Sequence, residues 1–592
     1  MHTTYAAELS DWAQAVSSVL AVVIAGITTY LMVRQHRRAE QRADADRRRA
    51  EAERHRTEQE RAQARHVSAW WGNGVVSGGD LAPGVWGAIA ANDSAESVQY
   101  AHLTVTHVQD RWVSKYGWGR IGPHSSIKWA APRVYANAEG RTGPVPADAT
   151  DPDGSCADPT LHQVEMTFVD RDGEFWLYDR RGQLRRLSRE LVLWADDERL
   201  PTCRTLFERT FAPRYGVDVS FHGFARTEDL QRRFHALAAG PDPAPESPDI
   251  MVGPHDWLGR TVACGAVEEV PLTEAQRASF HPRAVQAFTC AGRLYGIPYA
   301  FDCVALLRNL DLTGDGAPPA DFGELIADGE RIAGARGLAA PLAVQVGPAG
   351  DPYHLWPVFS SAGGTLLGLR DDGGFDPPHT WRAGLDTAFA ALAELGETGR
   401  GVLRRDIDRD RAHALFCTGQ TPYLITAAGA LGRVEGCGAR VAVSPVPAYG
   451  PHPSRSLLTV LGFYARRDSR NERVVQDLVT YHLARARTGV QLNRIQAWPP
   501  VQAAATEEVL AMHPLLAGYV AAAERALLMP SHPAMRQVWD VLAAAQVDVI
   551  AGTLEPAAGA ARFVAEAGRL LADDAPAGPP GPAPAAPGVS RP

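Results

Sequence analysis

The segment SPDIMVGPHDWLGR, residues 247–260, places a short apolar run directly before a group of polar and aromatic residues. The run IMVG, residues 250–253, is typical of a buried strand, and PHDW, residues 254–257, follows it without a linker. In an open α/β sheet, ligands bind just beyond the carboxyl ends of the strands. The segment therefore indicates either a surface loop or the edge of a binding cleft.

Strand patterns and helix patterns alternate on both sides of this segment. The strand patterns LVLWA (191–195), VDVSF (217–221) and DIMVG (249–253) are separated by the helical patterns CRTLFERTFAPRYG and EDLQRRFHALAAG. This order predicts parallel strands joined by right-handed crossovers. Gly216 stands where the first helix is expected to end in a left-handed glycine. The region is therefore predicted to have an α/β fold.

Seven segments of this region have an order and a spacing that can be compared with those of known protein families. They are LVLWADDERL, FAPRYGVDV, SPDIMVGPHDWLGR, AGRLYGIPYAFDCVALLRNLDL, DPYHLWP, FCTGQTPYLIT and MPSHPAMRQVW. In order and approximate spacing they resemble the maltose-binding-protein-like type 1 solute-binding proteins of ABC sugar importers, over about residues 191–571. The resemblance implies a two-lobed, periplasmic-binding-protein-like clamshell that closes over a sugar.

The same resemblance implies which residues bind the sugar. Carboxylates and guanidinium groups bind hydroxyl groups by charge-assisted hydrogen bonds, and aromatic rings pack against the C–H faces of sugars. Trp257 adds a ring beside Asp256, although the family has a basic residue at that position. The full set of expected ligand-binding residues is Glu198, Arg199, Asp256, Trp257, Asp302, Asp351, Tyr353 and Trp539.

The chain also departs from the family at positions that matter for the ligand. Two of the family's three stacking tryptophans are replaced, one by the pair Gly253–Pro254 and the other by Gly429. Ala543 stands where the family has an arginine. A ligand that differs from maltose, or is smaller, is therefore expected.

Several of these residues have a second interpretation. His255, Glu198 and Arg199 are compatible with a solvated surface, and helical periodicity alone would place Trp539 in a core. Asp302 is the most informative residue, because a lone carboxylate in an apolar strand needs a partner or a ligand. Two other tryptophans, Trp194 and Trp356, lie in apolar patterns that predict core positions.

The N-terminal part of the chain predicts a membrane anchor. Residues 12–33 carry no charged side chain over about the length that a bilayer requires, and no cleavage site follows them. We interpret this segment as a retained transmembrane helix after a short flank, residues 1–11, with a buried soluble helix as the alternative. The arginine-rich residues 34–66 are predicted to form a charged helical stalk; a coiled coil is less favoured because no apolar heptad appears.

Three further segments complete the predicted organisation. Residues 67–188 show short alternating strands separated by the turn motifs DRDG (170–173) and DRRG (179–182), which predicts a small β-sandwich-like domain. Residues 189–572 are predicted, from the resemblance, to form the two-lobed solute-binding domain. Residues 573–592 are rich in proline and alanine and are predicted to be disordered.

Composition excludes several functions and cofactors. A net charge of −9 over 592 residues argues against nucleic-acid binding. No nucleophile-elbow or zinc-protease motif occurs, so we expect neither an enzyme nor a metal or other cofactor. The seven cysteines form no C-x-x-C pair, which predicts reduced structural thiols and a reducing compartment.

These observations predict a membrane-anchored solute-binding protein for a carbohydrate-type ligand, an oligosaccharide or a related polyol, with an ABC permease as its partner. The alternative is a cytoplasm-facing sensor or scaffold that keeps the fold without a transport role. Arginines 34–49 favour a cytoplasmic large domain by the positive-inside rule, whereas the family resemblance favours an extracellular one. The two indications conflict, and on the charge rule the residues after the helix are expected to lie in the cytoplasm.

Overall fold

The computed structural model of the chain describes residues 63–72, 86–107, 113–130, 134–136, 142–144, 159–238, 247–365 and 382–573. The predicted flank 1–11, the predicted transmembrane helix 12–33 and nearly all of the stalk 34–66 and the tail 573–592 lie outside these residues. None of the helices within the described ranges is both long and apolar enough to span a membrane. The chain divides into two compact units, which are described separately.

The first unit is built from antiparallel strands. One sheet has the order β1-β2-β5 and the other the order β10-β9-β8-β3-β4. The short strands β6 and β7, which pair with each other, are grouped with the second unit although they lie between β5 and β8 in sequence. Trp71 of β1 stacks on His162 of β8 with 4.0 Å between ring centroids. The β-sandwich remains a prediction for the first unit. In chain order, the strands of this part of the chain are β1 (Val67–Gly72), β2 (Gly87–Asn92), β3 (Val98–His107), β4 (Val113–Ile121), β5 (Ser125–Ala130), β6 (Val134–Ala136), β7 (Thr142–Pro144), β8 (His162–Val169), β9 (Phe175–Tyr178) and β10 (Leu184–Leu187).

Both predicted turns of this unit are confirmed. The side chain of Asp170 accepts hydrogen bonds from the backbone N–H groups of Asp172 (3.0 Å) and Glu174 (2.9 Å). Gly173 and Gly182 have φ angles of 83° and 73°, which favour glycine because a Cβ atom is strained in this left-handed region. The short aspartate and glycine motifs thus specify the turns locally, as the sequence predicts.

The second unit contains two larger sheets. The first, which we call the lobe 1 sheet, has the order β12-β11-β13-β21-β16 with β22 on β21; the second, the lobe 2 sheet, has the order β18-β19-β17-β20. β11 pairs in parallel with β12 and β13, so the predicted α/β crossovers are confirmed. The strands are β11 (Glu190–Asp196), β12 (Asp218–Phe224), β13 (Ile250–Pro254), β14 (Thr289–Cys290), β15 (Arg293–Leu294), β16 (Ile297–Asp302), β17 (Val304–Asn309), β18 (Ala343–Val344), β19 (Tyr423–Ala427), β20 (Val441–Ser444), β21 (Leu457–Ala465) and β22 (Leu527–Leu528).

Several helices of this unit begin or end at capping residues that the sequence supplies, such as Asp321 before α8 (Phe322–Arg336) and Gly216 after α2 (Ala212–Tyr215). The helix that ends at Tyr215 is followed by Gly216, with φ of 65°, whose N–H donates to the carbonyl of Ala212 (2.9 Å). The bounds are α1 (Leu200–Leu206), α2 (Ala212–Tyr215), α3 (Thr227–Ala238), α4 (Leu258–Ala263), α5 (Glu274–Ala278), α6 (Pro282–Ala287), α7 (Leu310–Thr313), α8 (Phe322–Arg336), α9 (Pro352–Ser361), α10 (Arg382–Leu395), α11 (Arg409–Cys417), α12 (Leu431–Glu435), α13 (Glu472–Asp477), α14 (Ala486–Ile495), α15 (Ala503–Met512), α16 (Leu516–Arg525), α17 (Met535–Ile550) and α18 (Pro556–Asp573).

The chain passes directly from one sheet to the other. β16 ends in the lobe 1 sheet at Asp302 and β17 begins in the lobe 2 sheet at Val304, with only Cys303 between them. After β22 in lobe 1, the chain enters α17, whose apolar face packs in the lobe 2 core with α9, α10 and α18. Trp194 and Trp356 are buried, as predicted. These crossings place residues of both lobes next to each other.

The prediction of seven reduced thiols is wrong for one pair. Cys417 at the end of α11 and Cys437 just after α12 form a disulfide, with 5.2 Å between their Cα atoms. The two residues are 20 positions apart, so the absence of a C-x-x-C motif carried no information about them. Their pairing depends on how α11 and α12 pack together. The other cysteines in the described ranges, Cys203, Cys264, Cys290 and Cys303, are free.

Candidate functional site

A cavity of about 390 Å³ lies in the second unit, with walls from both lobes. Six of the eight residues expected to bind ligand line it. Polar and aromatic residues of other elements complete the wall. The six are Arg199, Asp256, Trp257, Asp302, Tyr353 and Trp539, and the residues that the sequence did not single out include Thr227, Glu228, Gln231, Arg260, Thr459, Met529, His532, Met535 and Arg536.

Asp256 follows the end of β13 in a single helical turn, His255–Trp257. Burial raises the pKa of its carboxyl group to about 6, against the opposing effect of the charges on Arg199 and Arg536. Within the described residues, no other residue donates a hydrogen bond to this carboxylate and no cation forms an ion pair with it. A partly buried carboxylate without a partner is unfavourable, so this group is available to a ligand on the cavity wall.

His255 has a different role from its neighbour. It is buried, its Nε2 contacts the carbonyl of Met529 (2.8 Å), and its Nδ1 accepts from the N–H of Val460 (3.0 Å). Burial lowers its pKa to about 4, so the ring is neutral near pH 7. Both ring nitrogens are therefore used within the fold. The solvated interpretation of His255 is wrong, and Pro254 ends the strand where this ring turns inward.

The side chain of Trp257 occupies space that is free because residue 253, four positions earlier, is a glycine. Its ring lies against Gly253, where a Cβ atom would come within 2.5 Å of the indole Cζ3. The ring is 7% exposed and lines the cavity. The position that carries a tryptophan in the resembling family is thus a glycine here, and an indole from four residues later packs on it.

Asp302 and Tyr353 meet where the chain crosses between the lobes. The Asp302 carboxylate accepts from the N–H of Ala428 (3.2 Å), and the Tyr353 hydroxyl donates to the Asp302 carbonyl (2.8 Å). Burial raises the pKa of the Asp302 carboxyl to about 6, and the charge on Arg199 opposes this. One backbone donor leaves most of the acceptor capacity of this carboxylate free for a ligand.

Arg199 is fixed by contacts on two sides. Its guanidinium pairs with Asp196, and it lies over the ring of Trp498 at 5.8 Å from the centroid. The indole of Trp498 in turn packs on Gly429, where a Cβ atom would lie 2.7 Å from its Nε1. Gly429 is the second glycine that replaces a family tryptophan, so both glycines accommodate an indole from elsewhere in the chain.

Two expected residues lie outside the cavity wall. The carboxylate of Glu198 pairs with both terminal nitrogens of Arg409, at 3.0 and 3.3 Å, and so joins lobe 1 to α11 of lobe 2. Asp351 caps α9 by accepting from the N–H of His354 (3.0 Å), and it also accepts from the Gln345 side chain. The carboxylates of both residues already have partners within the protein.

The sequence did not single out Arg536 and Glu228, which also lie on the wall. Arg536 precedes Trp539 by one helical turn, so the i, i+3 spacing places both on one face of α17 and could have identified it. Glu228 lies in the first turn of α3, which follows β12 and packs against the lobe 1 sheet. Glu228 and Arg536 are 308 positions apart in sequence, so their contact could not be predicted from local sequence patterns.

Comparison with known proteins relates this region to one family. A family model described as bacterial extracellular solute-binding protein matches residues 209–518. The maltotriose-binding protein of Pyrococcus abyssi is 23% identical over 369 residues, which cover 60% of this chain and 75% of that protein. The galactooligosaccharide-binding protein of Bacillus subtilis is 22% identical over 392 residues, or 62% of this chain and 86% of that protein.

Proposed function

Because the chain belongs to the bacterial extracellular solute-binding proteins, we propose that it reversibly binds a carbohydrate in the cavity described above. The observation that carries this proposal is the Asp256 carboxylate, which is partly buried on the cavity wall and receives no donor from another described residue. Sugar hydroxyl groups supply such donors. The relatives named for maltotriose and galactooligosaccharide support the same ligand class.

Each lobe contributes a different kind of contact to a bound sugar. Lobe 1 offers Asp256 and the edge of Trp257, and lobe 2 offers the ring of Trp539, which can pack against a C–H face of the sugar. Asp302 and Tyr353 lie where the chain crosses between the lobes, which we call the hinge. A ligand that contacts these two residues therefore contacts the hinge. We infer that the ligand stabilises the closed arrangement by contacting both lobes at once. Delivery to an ABC permease is the corresponding transport role.

The proposal is tested by a thermal-shift panel of mono- and oligosaccharides on the purified chain. A ligand that binds only the folded state raises the melting temperature by mass action, with a stabilisation of about 2.7 kcal/mol at a hundred times its Kd. At least one gluco- or galacto-saccharide is expected to give a saturable increase. If no sugar or polyol changes the melting temperature, carbohydrate binding is wrong and the scaffold alternative is favoured.

We also propose that residues 12–33 anchor the protein in the membrane with the large domain outside the cell. The uncharged length of this segment supports the anchor, and the extracellular family together with the Cys417–Cys437 disulfide supports the outer side. The arginines that follow the segment oppose this orientation by the positive-inside rule.

In cells, the protein is expected to remain in the membrane pellet after carbonate extraction and to keep its sequence upstream of residue 12. An impermeant maleimide is expected to label the exposed thiol of Cys264 before permeabilisation. Labelling of Cys264 only after permeabilisation would place the domain inside. A mature N-terminus beyond residue 33, found by mass spectrometry, would identify the segment as a cleaved signal peptide instead.

A further inference from the structure

An ion pair between the lobes forms part of the cavity wall. Nη1 of Arg536, the second residue of α17 in lobe 2, lies 2.8 Å from Oε1 of Glu228 in α3 of lobe 1. Asp540, one turn later on α17, holds the same guanidinium at 3.3 Å. Arg536 and Glu228 both line the cavity, so their side chains form part of its wall rather than a remote surface contact.

This pair lies at a solvent-exposed part of the cavity wall. The side chains of Arg536 and Glu228 are 46% and 33% exposed, whereas Arg199 is 15% exposed and Trp257 only 7%. Asp302 and Tyr353, where the chain crosses between the lobes, line the same cavity. The ion pair therefore bridges the two lobes at a part of the wall that is more exposed to solvent than Arg199 or Trp257.

The position of Trp539 relates this ion pair to the ligand. Residues three apart on a helix are neighbours on one face, so Trp539 and Arg536 are adjacent along α17. A sugar ring packed on Trp539 would have its next unit directed along this face towards Arg536 in one of its two orientations. The cavity of about 390 Å³ is also near the lower limit of ligand pockets, which span roughly 300 to 1,000 Å³.

We propose that the Glu228–Arg536 ion pair determines ligand length: it closes the cavity wall between the lobes and restricts the ligand to a mono- or disaccharide. This inference rests on the proposed carbohydrate binding. A longer saccharide can bind only if the pair separates and its side chains leave the cleft. The two residues therefore act on specificity by occluding space, in addition to any hydrogen bonds that they make to a short ligand.

The test compares two saccharide ladders, glucose to maltotetraose and galactose to galactotetraose, by calorimetry on the full chain. The parent is expected to bind the mono- or disaccharide of one ladder most tightly. In Arg536→Ala the ratio of trisaccharide to disaccharide association constants is expected to rise about fivefold, close to the largest effect of an exposed ion pair. Glu228→Gln, which keeps the side-chain volume but removes the charge, is expected to change the ratio in the same direction by less.

Two control variants separate occlusion from other effects. Arg562→Ala removes an exposed arginine that pairs with Asp548 at 2.7 Å away from the cavity, and it is expected to leave every affinity unchanged. Glu198→Gln breaks a different interlobe pair, the one with Arg409, and is expected to weaken all lengths by the same factor. An unchanged length ratio in Arg536→Ala, or an equal change in Glu198→Gln, overturns the inference while carbohydrate binding stands. If no saccharide binds either the parent or Arg536→Ala, the proposed function fails as well.

Discussion

Replacing Asp256 with alanine is expected to weaken binding of the best disaccharide by about ten- to a hundredfold. A hydrogen bond to a charged group contributes about 1.5 to 3 kcal/mol, and each 1.4 kcal/mol is a factor of ten in affinity. The variant should fold as stably as the parent, because it removes a partly buried carboxylate that no other described residue pairs with. Calorimetry gives the affinity, and thermal melting without ligand checks the fold.

The pH dependence of binding gives this prediction a second readout. Burial holds the carboxyl pKa values of Asp256 and Asp302 near 6, above the ordinary value of 3.8. Sugar hydroxyl groups that donate to the ionised carboxylates lower these pKa values, so affinity is highest above about pH 7 and falls as the pH decreases through 6. The decrease is at most about tenfold per pH unit for each group.

Asp256→Ala is expected to make this decrease shallower, since one of the two titrating groups is gone. Asp410→Ala is the matched control, because it removes a carboxylate that is 85% exposed and pairs with Arg433 on the surface of lobe 2. That variant should keep both the affinity and the pH profile of the parent. An Asp256→Ala protein with parental affinity and an unchanged pH profile would show that Asp256 does not contact the ligand.

Replacing Cys417 and Cys437 together with serine is expected to lower the free energy of unfolding by about 3 kcal/mol. The disulfide links residues 20 positions apart, and in the chain-entropy account a loop of this size loses about that much when the link is removed. Urea unfolding followed by circular dichroism measures the change. The midpoint should decrease for the double variant, while the affinity for a short saccharide should be nearly kept, because neither cysteine lines the cavity.

The matched control for this experiment is Cys264→Ser, which changes an exposed free thiol and should leave the unfolding midpoint unchanged. Thiol titration of the exported, denatured but unreduced protein is expected to find five reactive cysteines if Cys156 is also free. Seven reactive cysteines would contradict the disulfide and would remove its support for an extracellular domain.

Sequence patterns predicted the features of the fold that depend on residues close together in sequence. The apolar run before Asp256 predicted β13, and the alternation around it predicted parallel pairing with β11, because both features depend on periodicity within a few turns or strands. The family resemblance placed six expected residues on one cavity wall. Asp302 was conspicuous in the sequence because a carboxylate within an apolar strand needs a hydrogen-bond donor.

The remaining features depend on contacts between distant segments. Glu198 pairs with Arg409, 211 residues away, and nothing near Glu198 in the sequence indicates which carboxylates will find a partner within the protein. Cys417 and Cys437 are brought together by the packing of two helices. The indole of Trp498 packs on Gly429, and these residues are also far apart in sequence. Local sequence patterns therefore could not predict this contact.

The packing of Trp257 on Gly253 has a consequence for how this cavity could evolve or be redesigned. A larger side chain at position 253 collides with the indole of residue 257, so the two positions are not independent. A tryptophan at 253, as in the resembling family, becomes tolerable only after residue 257 is made small, and the reverse order passes through an overpacked intermediate. Ancestors that exchanged one arrangement for the other were therefore constrained in the order of their substitutions, and a combinatorial library has to vary both codons together.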